Sequence, residues 1–291
     1  MSQEESTRDK RGKTKMKKLL TVAIVCLLAV GVVACGGNNQ DASTDQKKLV
    51  VSATLDPHSK ILEEAKPILK EKYGIDLEIK VLDDYYIFNK ALENGEVDAN
   101  FFQHVPFFDG EVKDKGYKNI VNAARIHLEP FGFYSKTVKS KDEVKDGATI
   151  VISNSVADHG RILAILAKEG LITLKDGTDE LNATVKDIDQ NPKNLTFKEV
   201  KPELLATAYN NGEGDLVAIN GNYAIQASLN PTKDAVILET ATEDNPYVNI
   251  VACQKGHESD DKIKALIEVL KSDDIKKFIE DTYKGSVIPA V

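Results

Sequence analysis

From Lys48 to Tyr283 the chain alternates short apolar runs with stretches whose apolar side chains recur every three or four residues, and this alternation restricts the fold more than any other feature. Lys48–Thr54 has the composition of a buried strand. A helical pattern follows from about Pro57 to Tyr73, with Ile61, Leu62, Ala65, Ile68 and Leu69 on one face and Gly74 as its stop. Further strands are expected at Ile75–Leu82, Asp98–Phe102, Ile126–Tyr134, Ala148–Ser153, Leu195–Val200, Asp215–Ile219, Val236–Glu239 and Tyr247–Cys253. Helices are expected at Tyr85–Glu93, His104–Lys115, Asp158–Glu169, Pro202–Asn210, Tyr223–Leu229, Asp260–Lys271 and Asp274–Tyr283. Strands separated by helices imply α/β architecture, mainly parallel sheets and right-handed crossovers. About nine short strands in about 245 residues suit two lobes better than one continuous sheet. A ligand then belongs in a crevice outside the strand carboxyl ends or between the lobes.

The amino terminus follows different rules. Lys13, Lys15, Lys17 and Lys18 precede an uncharged run from Leu19 to Ala34, which ends in Val32-Val33-Ala34-Cys35-Gly36. The run is short for a membrane span, which takes about 20 apolar residues, but it suits a signal peptide. The small residues before Cys35 resemble a bacterial lipobox, with residues 1–34 as signal peptide and Cys35 as the lipidated first residue of the mature chain. A plain secretory signal or an uncleaved anchor is the competing reading, and Met16 is an alternative start. Residues 35–46 are small, polar and without periodicity, as in a flexible tether.

Charge and cysteine content narrow the functional classes. Residues 1–34 hold seven of the 38 basic and three of the 46 acidic side chains, so the remainder carries 31 against 43, about −12 at pH 7. An acidic body argues against nucleic acid as a partner, since phosphate binding calls for a basic face. Of the three cysteines, Cys26 leaves with the signal and Cys35 takes the lipid, so Cys253 stands alone in an apolar run and reads as a small buried hydrophobe. No nucleophile elbow, zinc-protease helix, phosphate-cradling loop or dinucleotide fingerprint is present, so no catalysis and no cofactor are expected. The five histidines, His58, His104, His127, His159 and His257, lack close ligand spacing, and no metal site is expected from them.

The most specific stretch is Asp84–Phe108, where Phe101, Phe102, Phe107 and Phe108 surround the polar Asn100, Gln103 and His104 at one strand-to-helix junction. Aromatic walls with a few hydrogen-bonding groups describe a pocket for a small amphipathic ligand, although some of these rings must be core. The sequence here resembles the methionine-binding lipoproteins of ABC importers and the NlpA-type lipoproteins related to them. The resemblance rests on Asp84-Tyr85, Asn89-Lys90-Ala91-Leu92, Gly95, Asp98-Ala99-Asn100 and Phe102-Gln103-His104 in order. It continues through Glu129–Ser135 (EPFGFYS), Asn220-Gly221-Asn222-Tyr223-Ala224 and Tyr247-Val248-Asn249, so that it covers the chain from Lys47 onward. In the Asn154–Arg161 segment this chain keeps the family's Asn and Arg but has Ser155 in place of Asp and Asp158 in place of Asn.

The resemblance implies a two-lobed periplasmic-binding-protein type II fold with mixed sheets and a hinge crossed twice. Lobe 1 is expected over residues 47–134 plus 245–291 and lobe 2 over 135–244. It also implies a substrate-binding lipoprotein on the extracytoplasmic side of the cell membrane, which delivers methionine or a close relative to a permease and its ATPase. Another amino acid, a methionine-containing dipeptide or a metal ion are the alternative ligands. In this reading Arg161, early in a helix, clamps the ligand carboxylate with its guanidinium fork. Asn154, Asn220 and Asn249 offer amide oxygens to the ammonium, and Tyr85, Phe102, His104 and Tyr134 wall the side chain, where a thioether favours aromatic contact.

Overall fold

The computed structural model describes residues 47–242 and 244–290. The expected signal peptide, lipidated Cys35 and tether lie outside the described residues. The first sheet runs, in order, Ile288–Pro289, Ile120–Leu128, Val248–Gln254, Ala99–His104, Lys47–Ala53 and Ile75–Val81. The second runs Ile237–Leu238, Gly132–Tyr134, Leu216–Ile219, Thr149–Ser153 and Thr196–Val200. A two-stranded ribbon, Thr173–Leu174 with Ile188–Gln190, stands apart.

Both sheets are mixed. Lys47–Ala53 pairs in parallel with Ile75–Val81 and Ala99–His104, and Thr149–Ser153 with Leu216–Ile219 and Thr196–Val200, as helix-linked strands should. Antiparallel ladders appear where the chain passes between the sheets and where the last strand, Ile288–Pro289, joins Ile120–Leu128. On its return, Val248–Gln254 inserts antiparallel between Ala99–His104 and Ile120–Leu128. Gly132–Tyr134 runs antiparallel to Leu216–Ile219 and to Ile237–Leu238. Mainly parallel sheets therefore hold only for the helix-linked strands.

The apolar run read as one strand from Ile126 to Tyr134 is broken at Glu129–Phe131, where the chain leaves the first sheet and enters the second. Gly132–Tyr134 thus belongs to the second sheet, although the expected boundary set it in the first lobe. The return passage occupies residues 239–247. These two passages are the covalent links between the halves.

Each half buries its own core. In the first, the helix His58–Tyr73 turns Ile61, Leu62, Ala65 and Leu69 onto Leu49, Val51 and Leu77, joined by Leu266 and Ile275 from the terminal helices Asp261–Leu270 and Asp273–Tyr283. The first helix stops where expected, at Gly74, whose φ of 66° suits glycine. Cys253 is buried in the same core, and burial pushes its thiol up to about 11. In the second half, Phe131, Phe133, Ile150 and Ile152 pack on Ile162, Leu163 and Leu166 of the helix Val156–Lys168. A third cluster joins Tyr85, Phe88, Phe102 and Phe107 from the first half to Val151, Val217, Ile219 and Tyr223, and it forms the seam. There Phe88 stacks on Phe102 with centroids 4.0 Å apart, a pairing that adds about 1 kcal/mol to simple burial.

Candidate functional site

The pocket lies in that seam, at the carboxyl end of Ala99–His104 and the amino ends of four helices, Tyr85–Glu93, Val105–Lys115, Val156–Lys168 and Gly221–Gln226. Its walls are Tyr85, Phe102, Gln103, His104, Phe107, Glu129, Asp158, Arg161, Asn220, Gly221, Asn222 and Asn249. Six of the eight expected binding residues are therefore brought together. Tyr134 and Asn154 are not. Tyr134 points into the core because Gly132–Tyr134 is a strand of the second sheet, and its ring packs near Tyr209. Asn154 is exposed, and its backbone N–H extends the ladder to the Val200 carbonyl.

Local structure explains how each wall is held. Asp84 caps the helix Tyr85–Glu93 by accepting from the Tyr86 N–H, which presents Tyr85 at the helix entrance. The Tyr85 hydroxyl donates to Asn222 Oδ1 at 2.5 Å, and its ring stacks on Tyr223 at 5.0 Å. His104 caps the helix Val105–Lys115, its Nδ1 accepting from the Phe107 N–H at 3.2 Å. The proton therefore resides on Nε2, which faces Asp158 Oδ1 at 3.6 Å. Behind this wall Asn89, Asn100 and Gln103 form a buried amide triad: Asn89 donates to Gln103 at 2.8 Å, Asn100 donates to Asn89 at 2.9 Å, and Gln103 donates to Asn89 at 2.7 Å. The polar positions of the motif are thus largely scaffolding.

The second half contributes charge. Asp158 Oδ1 accepts from Asn220 Nδ2 at 3.2 Å. Burial raises the Asp158 carboxyl, but the facing His104 ring, the nearby Ser153 hydroxyl and the Asn220 amide outweigh it and hold the group below its usual range. Arg161 donates from Nε and Nη2 to Glu239 at 3.1 and 2.5 Å and from Nη2 to the Glu129 carbonyl at 2.7 Å. Its fork is thus engaged sideways, and Nη1 is the nitrogen without a partner among the described residues. Asn249 Oδ1, expected to await an ammonium, accepts instead from His58 Nε2 at 3.1 Å.

Three buried polar atoms in this wall lack any partner among the described residues: the acceptors Asp158 Oδ2 and Asn220 Oδ1, and the donor Asn222 Nδ2. Each such atom costs about 1–3 kcal/mol until it is met. Sequence reasoning missed Glu129, Gly221 and Asn222 as pocket residues, although all lie inside segments that carried the resemblance, and it noted Gln103 and Phe107 in the pocket-like stretch without assigning them to the ligand. It had registered Asp158 only as a departure.

Beside the pocket, His58, His127 and Glu129 bring ring nitrogens and a carboxylate within 4.8 Å. His127 Nε2 donates to Glu129 Oε1 at 2.8 Å, while His58 is held between Thr54 Oγ1 at 2.6 Å and Asn249. Burial drives the His58 ring down to about 4 and the His127 ring to about 3, and it raises Glu129. Two neutral imidazoles thus serve a buried carboxylate, so these donors are already engaged in a hydrogen-bonded network.

Two mixed α/β halves, joined by two passages and closed over a polar-and-aromatic pocket, define a small-ligand-binding protein of the two-lobed periplasmic type. Comparison with known proteins narrows the class. Residues 49–291 match the family described as NlpA lipoprotein, and the chain belongs to that family. It is 54% identical over 274 residues, 94% of this chain and 99% of the relative, to the methionine-binding lipoprotein MetQ of Bacillus subtilis. A solved lipoprotein from the same species is 56% identical with a TM-score of 0.81, covering 84% of this chain and 98% of that one. A nutrient-binding protein from Burkholderia cenocepacia, solved bound to methionine, is 36% identical with a TM-score of 0.79, covering 84% and 100%.

Proposed function

We propose that this chain is the substrate-binding lipoprotein of an ABC importer and that it captures methionine or a close relative without chemical change. The observation that carries this reading is the set of three unmatched buried atoms beside a guanidinium. Asp158 Oδ2 and Asn220 Oδ1 call for an ammonium, while Asn222 Nδ2 and Arg161 Nη1 call for a carboxylate. Tyr85, Phe102 and Phe107 face an apolar side chain, and a thioether gains from such rings. The methionine-named relatives support the same ligand.

In this reading residues 129–131 and 239–247 form the hinge, and the ligand favours the closed arrangement by touching both halves. The closed form presents itself to a permease and its ATPase, and a lipid on Cys35 keeps the body on the extracytoplasmic face of the membrane. No described helix is long and apolar enough to cross a membrane. The test is calorimetry with L-methionine, D-methionine and a methionine-containing dipeptide. Micromolar or tighter binding of free methionine supports the assignment. Heat with the dipeptide alone transfers it to the second reading, which Asp158 in place of the family's amide favours, and heat with none removes it. Palmitate labelling lost in Cys35→Ala tests the anchor.

A further inference from the structure

We propose that Glu239 is the positioning residue for ligand recognition, fixing Arg161 so that a single guanidinium nitrogen meets the ligand carboxylate. The inference rests on the zwitterion reading of the pocket but concerns a residue outside its lining. Arg161 reaches the seam from the helix Val156–Lys168, yet what holds its guanidinium comes from elsewhere. Glu239 takes Nε and Nη2, and the Glu129 carbonyl takes the other Nη2 hydrogen. The rings of Phe131 and Tyr247 lie 5.3 and 4.6 Å from its central carbon. Glu239 is itself fixed by the Phe131 N–H at 3.1 Å and by Asn245 Nδ2 at 3.3 Å. Every one of these supports sits in residues 129–131 or 239–247, the two passages between the halves.

Two consequences follow. The guanidinium cannot turn its fork to grip a carboxylate with two parallel bonds, because that edge is spent. Arg161 also borders an outer groove lined by Ala164, Glu180 and Thr242, where Glu239 and Tyr247 share the wall, so the ion pair and the ring contact are what hold the guanidinium in place. A carboxylate bound at Nη1 is thereby tied through one rigid group to both passages, so occupancy of the pocket is registered at the hinge. Burial alone would raise Glu239; Arg161 reverses this and holds its carboxyl below the usual range, so the pair stays ionised. The neutralised pair leaves carboxylate recognition dependent on placement rather than on net charge.

The test compares methionine with methioninol, which lacks the carboxylate, by calorimetry on the full chain in detergent. In Glu239→Gln, methionine affinity is expected to fall about tenfold or more while methioninol changes less than about threefold, so discrimination between the two collapses. Glu239→Asp, which keeps the charge on a shorter arm, is expected to recover part of that discrimination, and it serves if the Gln variant fails to fold. Equal losses for both ligands, or unchanged or tighter methionine binding in folded variants, overturn the proposal. A wild-type chain that binds neither ligand refutes the pocket reading instead.

Discussion

Asp158 concentrates the chemistry of the pocket in one side chain. Its Oδ1 is satisfied by Asn220 while Oδ2 waits, buried and ionised. A ligand that brings no ammonium leaves that charge unmet, so N-acetylmethionine is expected to bind at least about 100-fold more weakly than methionine. Asp158→Asn should cost methionine about tenfold and narrow that gap; titration of both ligands against both proteins decides it, and equal gaps refute the assignment. The histidines predict a pH effect of fixed direction. His58 and His127 have folded-state values of about 4 and about 3, below the ordinary 6.5, so acid protonates the unfolded chain first. Stability should fall as pH drops from about 6.5 toward 4, by about 3 kcal/mol for His58 alone, with Glu129 offsetting part of it. Thermal unfolding between pH 7 and 4.5 measures the slope. His127→Gln keeps a donor for Glu129 with no proton to gain, and it should flatten that slope; an unchanged slope removes the network as the cause. Residue roles were legible where a motif fixed them, as with Arg161 and Tyr85. Glu239 was illegible, because 78 residues separate it from Arg161 and its surroundings are an ordinary polar stretch.

Among the elements, the helices were the legible part, since period and punctuation agree. The span His58–Tyr73 matches its expectation because the apolar face and Gly74 mark its limits independently. The segment Ile126–Tyr134 misled because its side chains stay apolar across the change of sheet. Glu129-Pro130 marks the change, but Glu129 is buried like its neighbours, so burial does not signal it. The resemblance had put Tyr134 on the pocket wall, but as a strand residue of the second sheet it packs in the core near Tyr209. At the same passage, the helix Gly221–Gln226 begins against Glu129 so closely that a Cβ on Gly221 would lie 2.6 Å from the Glu129 Cβ. Gly221→Ala is therefore expected to destabilise by about 1–3 kcal/mol and to weaken ligand binding. Gly110, in the helix Val105–Lys115, has open space around its missing Cβ, so Gly110→Ala should stabilise by about 0.5–1 kcal/mol. Urea unfolding of the pair tests the contrast, and a Gly221→Ala variant as stable as wild type would show that the seam can relax there.

For the whole molecule, two cores meet through a shared aromatic seam, so ligand and fold stabilise each other. Methionine at about 100 times its dissociation constant should add about 2.7 kcal/mol, which for a body of this size corresponds to a melting temperature higher by about 5–10 °C. Scanning calorimetry checks it; no shift, or splitting into two transitions with only one responding, would argue that the halves unfold separately and that the ligand grips just one. The sealed Cys253 carries a practical corollary. A version of the body beginning at residue 47 contains one thiol, inaccessible and unreactive, so cysteines placed on opposite outer faces would be the sole targets for a donor and acceptor dye. The approach of the halves could then be timed on single molecules without first rebuilding the protein.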